Sequence, residues 1–370
     1  MGAAHGPNRT APIEEGRTPV MATKTTRTQT NRTRTNVVYF LQTHTRPAQI
    51  ARLVRVITEG NPDAVVLVSH DKAGQQLDVA SLEALGNVHV LLHRGGYGDF
   101  SHVDRYFAAV DWLEENGIEY NWLENLSGQD YPLRPIAEIE ARLNATRFDG
   151  LLQYTAVFPE RVPPEADRGD TRFQLAPPFD AEMRYDYRHW RLGKATDLKY
   201  RVMYPFMAIN LMQPWVRVSN SYAVVGLRRH DSLFGPGFYC YGGSFFCTLR
   251  AECVRYVRDY ARANPDAVDF FRTVMAPEET FFHSVLVNSG QFKFTTEYRR
   301  YIDWSVRNYT HPKTLGTGDA PALLASGAHW ARKLDLSKDA RLFDILDQRV
   351  RPRAASLDGQ ASKGVSSAAG

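Results

Sequence analysis

Apolar residues along the chain occur in short runs that are separated by amphipathic segments. The runs have strand length, and we predict strands at 37–41, 64–68, 88–92 and 120–123. Helical spacing of apolar residues predicts helices at about 46–58 and 101–116, which Thr45 and Ser101 can cap. Because strands and helices alternate, the fold class is α/β, with a mostly parallel central sheet flanked by helices on both faces.

The second half of the chain is less regular. We predict strands at about 221–227 and 239–249, followed by helices at 251–263 and 277–288. Between the two halves, residues 157–215 are rich in Pro, Arg, Asp and Tyr and show weak periodicity. Such a segment is typical of long loops that recognise a substrate.

Both ends of the chain are polar and lack apolar periodicity. Residues 1–36 carry six Lys or Arg and two Glu. Their net charge of +4 equals the net charge of the whole chain. We expect 1–36 to be a disordered basic tail and 351–370 to be a disordered tail. Since the remaining body is close to neutral, we expect no nucleic-acid partner. The sequence leaves open whether translation starts at Met1 or at Met21.

Several classes of protein are disfavoured by what the chain lacks. No apolar run approaches the length of a membrane span, and no signal peptide is recognisable. The three cysteines (Cys240, Cys247 and Cys253) form no CxxC pair, which argues against a disulfide scaffold or a zinc site. We therefore expect a cytoplasmic protein without a transmembrane segment, and leave open peripheral association with a membrane. P-loop, GxGxxG, GxSxG and HExxH motifs are missing as well.

Polar groups follow several predicted strands. The first strand is followed by Gln42, Thr43 and His44, and later strands by Asp71, by Arg94 and a glycine run, and by the turn Ser127-Gly128-Gln129-Asp130. Ligands of parallel α/β sheets bind outside the carboxyl ends of the strands, so these groups are candidates for one site. No Asp-x-Asp pair follows a strand, so a bound diphosphate would require basic side chains for neutralisation.

Carboxylates and cations in the last third supply candidate chemistry. Glu278 and Glu279 open a predicted helix, whose dipole favours their ionised form, and an ionised carboxylate can act as a general base. Taken from spacing alone, the favoured interpretation is that both residues merely complement that dipole. Arg300 and Lys333 are candidate cations.

Three segments resemble the core-2/I-branching β-1,6-N-acetylglucosaminyltransferase family (glycosyltransferase family 14), which also contains peptide O-xylosyltransferases. Residues 125–133 (NLSGQDYPL) resemble its Leu-Ser-Gly-x-Asp-aromatic-Pro block. Residues 241–249 resemble its Gly-Ser-x-x-x-x-Leu block, and 276–282 its Pro-Asp-Glu block, with Glu278 in place of Asp. RYIDW at 300–304 and HPKTL at 311–315 are typical of bacterial members.

The resemblance implies a single GT-A-type domain over 37–346, with inversion at the anomeric carbon and no metal or other cofactor. Within it, 37–135 would be the nucleotide-binding half, 157–215 the acceptor-side loops, and 216–346 the catalytic and diphosphate-binding half. The donor would be UDP-N-acetylglucosamine, or UDP-xylose as the second choice. The acceptor would be a hydroxyl of a glycan, a peptide or a small glycosylated molecule.

Roles follow from the resemblance for individual residues. Glu279 would be the catalytic base, and Arg300 and Lys333 would bind the donor diphosphate. The donor nucleoside would be contacted by Gln42, Thr43, His44, Asp71 and Arg94. The donor or acceptor site would further contain Ser127, Gly128, Gln129, Asp130, Gly243, Ser244 and Glu278. No metal ligand is expected.

Two alternatives remain open: a non-catalytic module that binds a nucleotide sugar or a glycan, and a transferase that uses a different nucleotide sugar. A glycoside hydrolase is disfavoured because it needs two carboxylates facing each other across a sugar, whereas Glu278 and Glu279 are adjacent.

Overall fold

A seven-stranded, mainly parallel sheet forms the centre of the computed structural model, which describes residues 33–176, 178–193, 201–305 and 311–351. All of these residues belong to one compact unit. The predicted tails 1–32 and 352–370 lie outside the described residues. The boundary of the N-terminal tail was predicted too late, because β1 begins at Arg34.

The strands are β1 (Arg34–Thr43), β2 (Val65–Asp71), β3 (Val88–His93), β4 (Glu119–Ser127), β5 (Asp130–Pro132), β6 (Gly150–Leu151), β7 (Tyr154–Ala156), β8 (Tyr187–Arg191), β9 (Val216–Ser219), β10 (Val224–Arg228), β11 (Tyr241–Gly243), β12 (Thr248–Arg250), β13 (Phe294–Thr295), β14 (Arg300–Ile302) and β15 (Trp330–Arg332).

The α-helices are α1 (Pro47–Gly60), α2 (Val79–Glu83), α3 (Ser101–Glu115), α4 (Ile136–Ala145), α5 (Pro178–Tyr185), α6 (Ile209–Met212), α7 (Ala251–Ala263), α8 (Pro265–Arg272), α9 (Phe281–Asn288), α10 (Ala320–Ala325) and α11 (Ala340–Val350). Short 3₁₀ turns occur at Pro159–Arg161, Tyr204–Ala208, Pro277–Glu279 and Thr317–Asp319.

The strand order of the central sheet is β13-β6-β12-β4-β1-β2-β3. Strands β1 to β4 pair in parallel, and β12 pairs antiparallel with both β4 and β6. Strand β2 pairs with one edge of β1, and β4 pairs with the other edge. The connections that leave the carboxyl ends of β1 and β4 therefore diverge. Such a switch point opens a crevice in parallel α/β sheets.

Two hydrophobic cores lie on opposite faces of this sheet. Alternate residues of β1 enter different cores: Val38 and Phe40 pack with α3, α7 and α9, whereas Tyr39 and Leu41 pack with α1, α4 and α11. This alternation is the period of two expected of a strand that is buried on both faces. The prediction of a mostly parallel sheet with helices on both faces is confirmed.

Local differences from the predictions have identifiable causes. Thr45 does not cap α1, because Arg46 takes the cap position in a left-handed conformation with φ 62°. Ser101 is the first residue of α3 rather than its cap. The predicted strand at 239–249 is two strands, of which β11 pairs with β7 while β12 enters the central sheet.

The predicted loop region 157–215 contains ordered elements. It includes α5, β8 and α6, and β8, β10 and β9 form a three-stranded antiparallel sheet in that order. Its weak periodicity reflects elements of only four to eight residues. No helix among the described residues is long and apolar enough to cross a membrane.

Candidate functional site

The predicted site residues of the first half gather at the carboxyl ends of β1 to β4. The turn after β4 lies directly beside β1, where the Gly128 N–H donates to the Gln42 carbonyl at 3.3 Å. The Gly128 carbonyl accepts from Nε2 of Gln49 at 2.7 Å, which joins the turn to α1. The residues predicted to follow the strands therefore flank the crevice at the switch point.

Gln42 and Thr43 are internal rather than exposed to a ligand. Oε1 of Gln42 lies 2.8 Å from Nδ1 of His102, and Nε2 of Gln42 donates to the His102 carbonyl at 3.1 Å. Oγ1 of Thr43 lies 2.8 Å from Nδ1 of His70. Since both side chains are buried, the predicted contact of these side chains with a donor base is corrected to a positioning role. His44, the next residue, is exposed.

Asp71 connects the loops that follow β2 and β3. Its Oδ1 accepts from the backbone N–H groups of Gly95 at 2.9 Å and Ala73 at 3.0 Å. Although partial burial opposes ionisation, these two N–H groups and Arg105 keep the pKa of Asp71 below its usual value. A Cβ at position 95 would lie 2.6 Å from Oδ2 of Asp71, so the loop requires glycine there. Arg94 is exposed beside this pair.

Arg105 of α3 is a buried cation that the sequence analysis missed. It donates to Oγ of Ser69 at 2.9 Å and to the Thr43 carbonyl at 3.1 Å, and so ties α3 to the ends of β1 and β2. Burial lowers the pKa of Arg105 to about 10, and burial together with Arg105 lowers the pKa of His102 to about 4. His102 is therefore neutral at pH 7, and Arg105 gives this edge of the sheet a positive potential.

The Ser127–Asp130 turn is held by Arg332. The Ser127 N–H donates to Oδ2 of Asp130 at 2.5 Å, and the Gln129 N–H donates to Oγ of Ser127 at 3.1 Å. Arg332 donates to the same Oγ at 2.5 Å and lies 3.4 Å from Oδ2 of Asp130. The antiparallel pairing of β5 with β15, which sets Asp130 opposite Arg332, produces this arrangement.

Arg300 lies inside the protein. Its side chain is 1% exposed and pairs with Oε1 of Glu124 at 2.7 Å and with Oδ1 of Asp130 at 3.4 Å. It also donates to the Asn125 carbonyl at 3.0 Å. The predicted contact of Arg300 with a donor diphosphate is corrected, because the guanidinium already neutralises two buried carboxylates and is shielded from solvent.

Arg332 contacts the Ser127–Asp130 turn, and Lys333 is the next residue in the sequence. The Arg332 guanidinium stacks on the Phe246 ring at 3.9 Å. Partial burial, followed by repulsion from Arg332 and Arg46, lowers the pKa of Lys333. Arg46 is paired with Asp335 at 2.7 Å, whereas Lys333 has no ion pair in the part of the chain that the structure describes. A lysine held near other cations without an acid partner attracts an anion.

Glu278 and Glu279 lie in a 3₁₀ turn that precedes α9, and the α-helix itself begins at Phe281. Oε2 of Glu279 accepts from Arg184 at 2.9 Å, and the side chain is 34% exposed. Desolvation raises the pKa of Glu279, although Arg184 opposes the shift.

Glu278 has a stronger shift. Burial and the neighbouring Glu279 raise its pKa to about 8, and its Oε2 has no hydrogen-bond partner among the described residues. The expectation that a helix dipole favours both ionised forms is therefore wrong for this pair, because desolvation and mutual repulsion outweigh any dipole. Glu278 therefore keeps its proton to a higher pH than an ordinary glutamate does.

The glycine loop after β3 is joined to this turn. The Ala276 N–H donates to the Gly98 carbonyl at 3.1 Å, and Arg191 donates to the Tyr97 carbonyl at 3.1 Å. Tyr97 stacks on Tyr222 at 5.5 Å. The turn that carries the two glutamates is thus fixed against the carboxyl end of the sheet.

Asp99 and His102 connect the two charged groups electrostatically. Asp99 contributes to the raised pKa of Glu278, and both Asp99 and Arg332 influence the pKa of His102. The charges of Glu278 and Arg332 are therefore both felt within the segment Asp99–His102.

Gly243 is a packing residue. A Cβ there would lie 1.8 Å from the Gln153 carbonyl oxygen, so β11 can approach β7 only with glycine at this position. The adjacent Ser244 backbone and Gln153 face the ring of His283, and burial lowers the pKa of His283 to about 4. The predicted place of Gly243 in the donor or acceptor site is corrected to close strand packing.

Arg184, Arg332, His102 and Arg105 are the residues that sequence reasoning missed. Arg184 lies in the segment with weak periodicity, and Arg105 lies among apolar residues of α3, so neither forms a motif. Arg332 directly precedes Lys333, and this adjacency was the available signal. No cluster of three or more His, Cys, Asp or Glu that could hold a metal ion occurs in the described ranges.

Comparison with known proteins identifies no family for the chain. No protein-family model matches it, and no curated protein matches it. A solved cytidylyltransferase from Leptospira borgpetersenii serovar Hardjo-bovis is similar to 32% of this chain at 15% identity with a TM-score of 0.23. The chain spans about half of that structure, 53% of its length, and at this TM-score the likeness carries no argument about fold or function.

Proposed function

We propose that this protein is an inverting glycosyltransferase that moves a sugar from a UDP-sugar to an acceptor hydroxyl without a metal ion. The observation that carries the proposal is the position of Glu279, a partly exposed carboxylate with a raised pKa that is held by Arg184 beside the carboxyl ends of the parallel strands. A raised pKa makes a carboxylate a stronger proton acceptor, which suits a general base.

Each step of the proposed reaction has a chemical group to support it. The Glu279 carboxylate accepts the proton of the acceptor hydroxyl while the hydroxyl oxygen bonds to the anomeric carbon. The bond from that carbon to the diphosphate oxygen breaks, and its electron pair leaves with UDP. Because the oxygen attacks from the side opposite the leaving group, the anomeric configuration inverts.

The leaving diphosphate needs compensating positive charge. Lys333 has no ion pair among the described residues, and Arg332 lies beside it at the Ser127–Asp130 turn. Two cations at this position support transfer without a metal, since fixed positive groups can stabilise a departing phosphate. Arg300 supports them indirectly, because it neutralises Asp130 from the interior.

The resemblance to the core-2/I-branching family gives the proposal its donor and its fold type. UDP-N-acetylglucosamine is the first donor to test and UDP-xylose the second. A mostly parallel sheet with one antiparallel strand, β12, flanked by helices supports the GT-A-type fold that the resemblance implies.

The test is a donor screen followed by one substitution. The purified protein is mixed with a panel of UDP-sugars in excess EDTA, and heat stability and UDP release are followed. We expect one UDP-sugar to stabilise the protein and to release UDP. The Glu279→Gln variant should keep that stabilisation. Its transfer rate should fall by about 10²- to 10⁴-fold, which is the usual contribution of a general base.

Glu252→Gln is the matched control, because Glu252 is an exposed carboxylate on α7 that pairs only with Arg255 among the described residues. It should leave the rate unchanged. Donor binding without any transfer in the wild-type protein, even with a broad acceptor mixture, would favour the binding module. Activity that EDTA removes and manganese restores would overturn the metal-free mechanism.

A further inference from the structure

Exposed apolar side chains are concentrated in one part of the surface. Of the thirteen large hydrophobic residues that are exposed in the described chain, nine lie between residues 190 and 227. They are Trp190, Leu192, Val202, Tyr204, Phe206, Leu211, Met212, Trp215 and Leu227. We call this set the apolar face. A patch of this size on a protein surface marks an interaction site more often than chance exposure.

The fold explains why these side chains point outwards. The segment 203–212 covers one face of the β8-β10-β9 sheet, where Met203 packs against Val218 and Ala223. The opposite face of that sheet, which carries Tyr187 and His189, is buried against the body of the protein. Leu211 and Met212 are consequently 89% and 80% exposed at the outermost part of the segment.

The same stretch of the chain is strongly basic. Residues 187–230 contain eight Lys or Arg and a single acid, Asp197, which is a net charge of +7 against +4 for the whole protein. Arg188, Arg201 and Arg228 are exposed. Arg188 lies over the Trp190 ring at 5.7 Å, so cation and aromatic share one face. Basic residues attract anionic lipid headgroups, and Trp and Tyr favour the interface between water and lipid.

We propose that the apolar face docks on an anionic phospholipid surface. Burial of apolar side chains such as Leu211 and Met212 in lipid is favourable, whereas a phosphate backbone offers them no apolar contact. This difference disfavours nucleic acid as the occupant. A second copy of the chain is disfavoured because a symmetric contact through this face would bring two positive surfaces together. The inference does not depend on the chemistry proposed for Glu279.

The apolar face and Glu279 are linked through neighbouring elements. Arg184 of α5 pairs with Glu279, and β8, which carries Arg188 and Trp190, begins three residues later. Tyr222, in the turn between β9 and β10, stacks on Tyr97 of the glycine loop. A protein docked through this face would hold its candidate site close to the headgroups.

The experiment is vesicle flotation with the full-length protein. Vesicles of phosphatidylcholine alone are compared with vesicles of phosphatidylcholine mixed with the anionic lipid phosphatidylglycerol. We expect flotation with the anionic vesicles, weaker flotation at high salt, and little with neutral vesicles. Leu211→Glu combined with Met212→Glu should abolish flotation, because it places two charges where the apolar contact would form.

Two further variants define the electrostatic part. Arg188→Gln and Arg201→Gln should each weaken the binding by about fivefold, since one basic residue near an anionic surface contributes about 1 kcal/mol. Leu324→Glu is the matched control, because Leu324 is an exposed leucine on α10 outside the apolar face, and it should float as the wild type does. Circular dichroism checks that each variant is folded.

Three results would overturn the proposal. These are the absence of flotation with anionic vesicles, flotation that the double variant keeps, and concentration-dependent self-association that the double variant removes while vesicles are not bound. The last result would assign the face to a second copy of the chain.

Discussion

Two groups of charged residues in this protein have similar composition and opposite surroundings. The interior cluster combines Glu124 and Asp130 with Arg300 and Arg332, and Arg300 pairs with both acids. The glutamate turn, Pro277–Glu279, carries Glu278 and Glu279, and Arg184 forms an ion pair with Glu279. The buried charges of Arg300, Glu124 and Asp130 hold elements together, whereas a carboxylate with an open side can exchange a proton with a substrate.

The difference shows what a motif alone does not reveal. Arg300 and Glu279 both belong to segments that resemble the same enzyme family, yet one side chain is 1% exposed and the other 34%. Exposure and partners, rather than residue type, separate the scaffold from the candidate chemistry. Substitutions in the two groups should therefore be read by different measurements.

The largest effect should come from the interior cluster. Arg300→Gln leaves Glu124 and Asp130 without their main neutralising partner, and breaking a buried pair costs about 3–5 kcal/mol of unfolding free energy. Arg299→Gln is the matched control, because that arginine pairs with Glu297 at the surface, where a salt bridge contributes about 0–1 kcal/mol. Urea unfolding measures both. Equal stability of the two variants would contradict the structural role of Arg300.

The next effect concerns the cation beside the turn. Lys333→Ala should reduce the affinity for UDP by about 10- to 100-fold, since a hydrogen bond to a charged group contributes about 1.5–3 kcal/mol. Unfolding should be nearly unchanged, because Lys333 has no ion pair among the described residues. Lys293→Ala, an exposed lysine next to β13, serves as the control. Calorimetric titration with UDP measures the change, and unchanged affinity would remove Lys333 from the proposed site.

A smaller effect is expected on the pH dependence. Desolvation raises the pKa of Glu279 and Arg184 lowers it, so Arg184→Gln should raise that pKa further. A base is active only when ionised, so the acid limb of kcat/KM should move to higher pH. The variant should lose more activity at pH 6 than at pH 8. A parallel loss at all pH values would instead indicate that Arg184 only maintains the shape of the site.

The last effect appears only at high pH and concerns the stability of Glu278→Gln. The pKa of Glu278 is raised to about 8 in the folded protein and is close to 4.5 when unfolded, so its contribution to stability is complete below pH 4.5 and is lost as the pH rises toward 8. Removing the titration should therefore stabilise the protein at pH 8, by up to about 4 kcal/mol at about 1.4 kcal/mol per pKa unit, and change little at pH 4.5. Thermal unfolding at the two pH values measures this, and equal shifts at both would contradict the assignment.

The sequence predicted the first half of the fold well, because long apolar runs and amphipathic helices leave few arrangements. The sheet of β1 to β4 and helix α7, predicted at 251–263 and observed at Ala251–Ala263, are examples. The segment 157–215 could not be predicted, because its elements are too short to establish a period. The candidate site was predicted in outline only: residues near strand ends were found, but their partners were not.

The reason lies in long-range contacts. Arg300 meets Glu124 across 176 positions of sequence, and Arg184 meets Glu279 across 95. No local pattern encodes such pairs. Gln42 and Thr43 were placed correctly at the strand end, but whether their side chains face a ligand depends on His102 and His70, which belong to other elements.

The hydrogen bond from Ala276 to the Gly98 carbonyl has a consequence for how this protein can change over time. This bond joins the glutamate turn to the loop after β3. The length of that loop therefore determines the position of the two glutamates relative to the carboxyl ends of the strands. Related chains should therefore vary most in those parts of the segment 157–215 that lie outside α5 and β8, because Arg184 and Arg191 of these two elements contact the glutamate turn and the loop. An insertion between Gly95 and Gly98 should be rare, since a single added residue would displace the turn even though every charged side chain were retained.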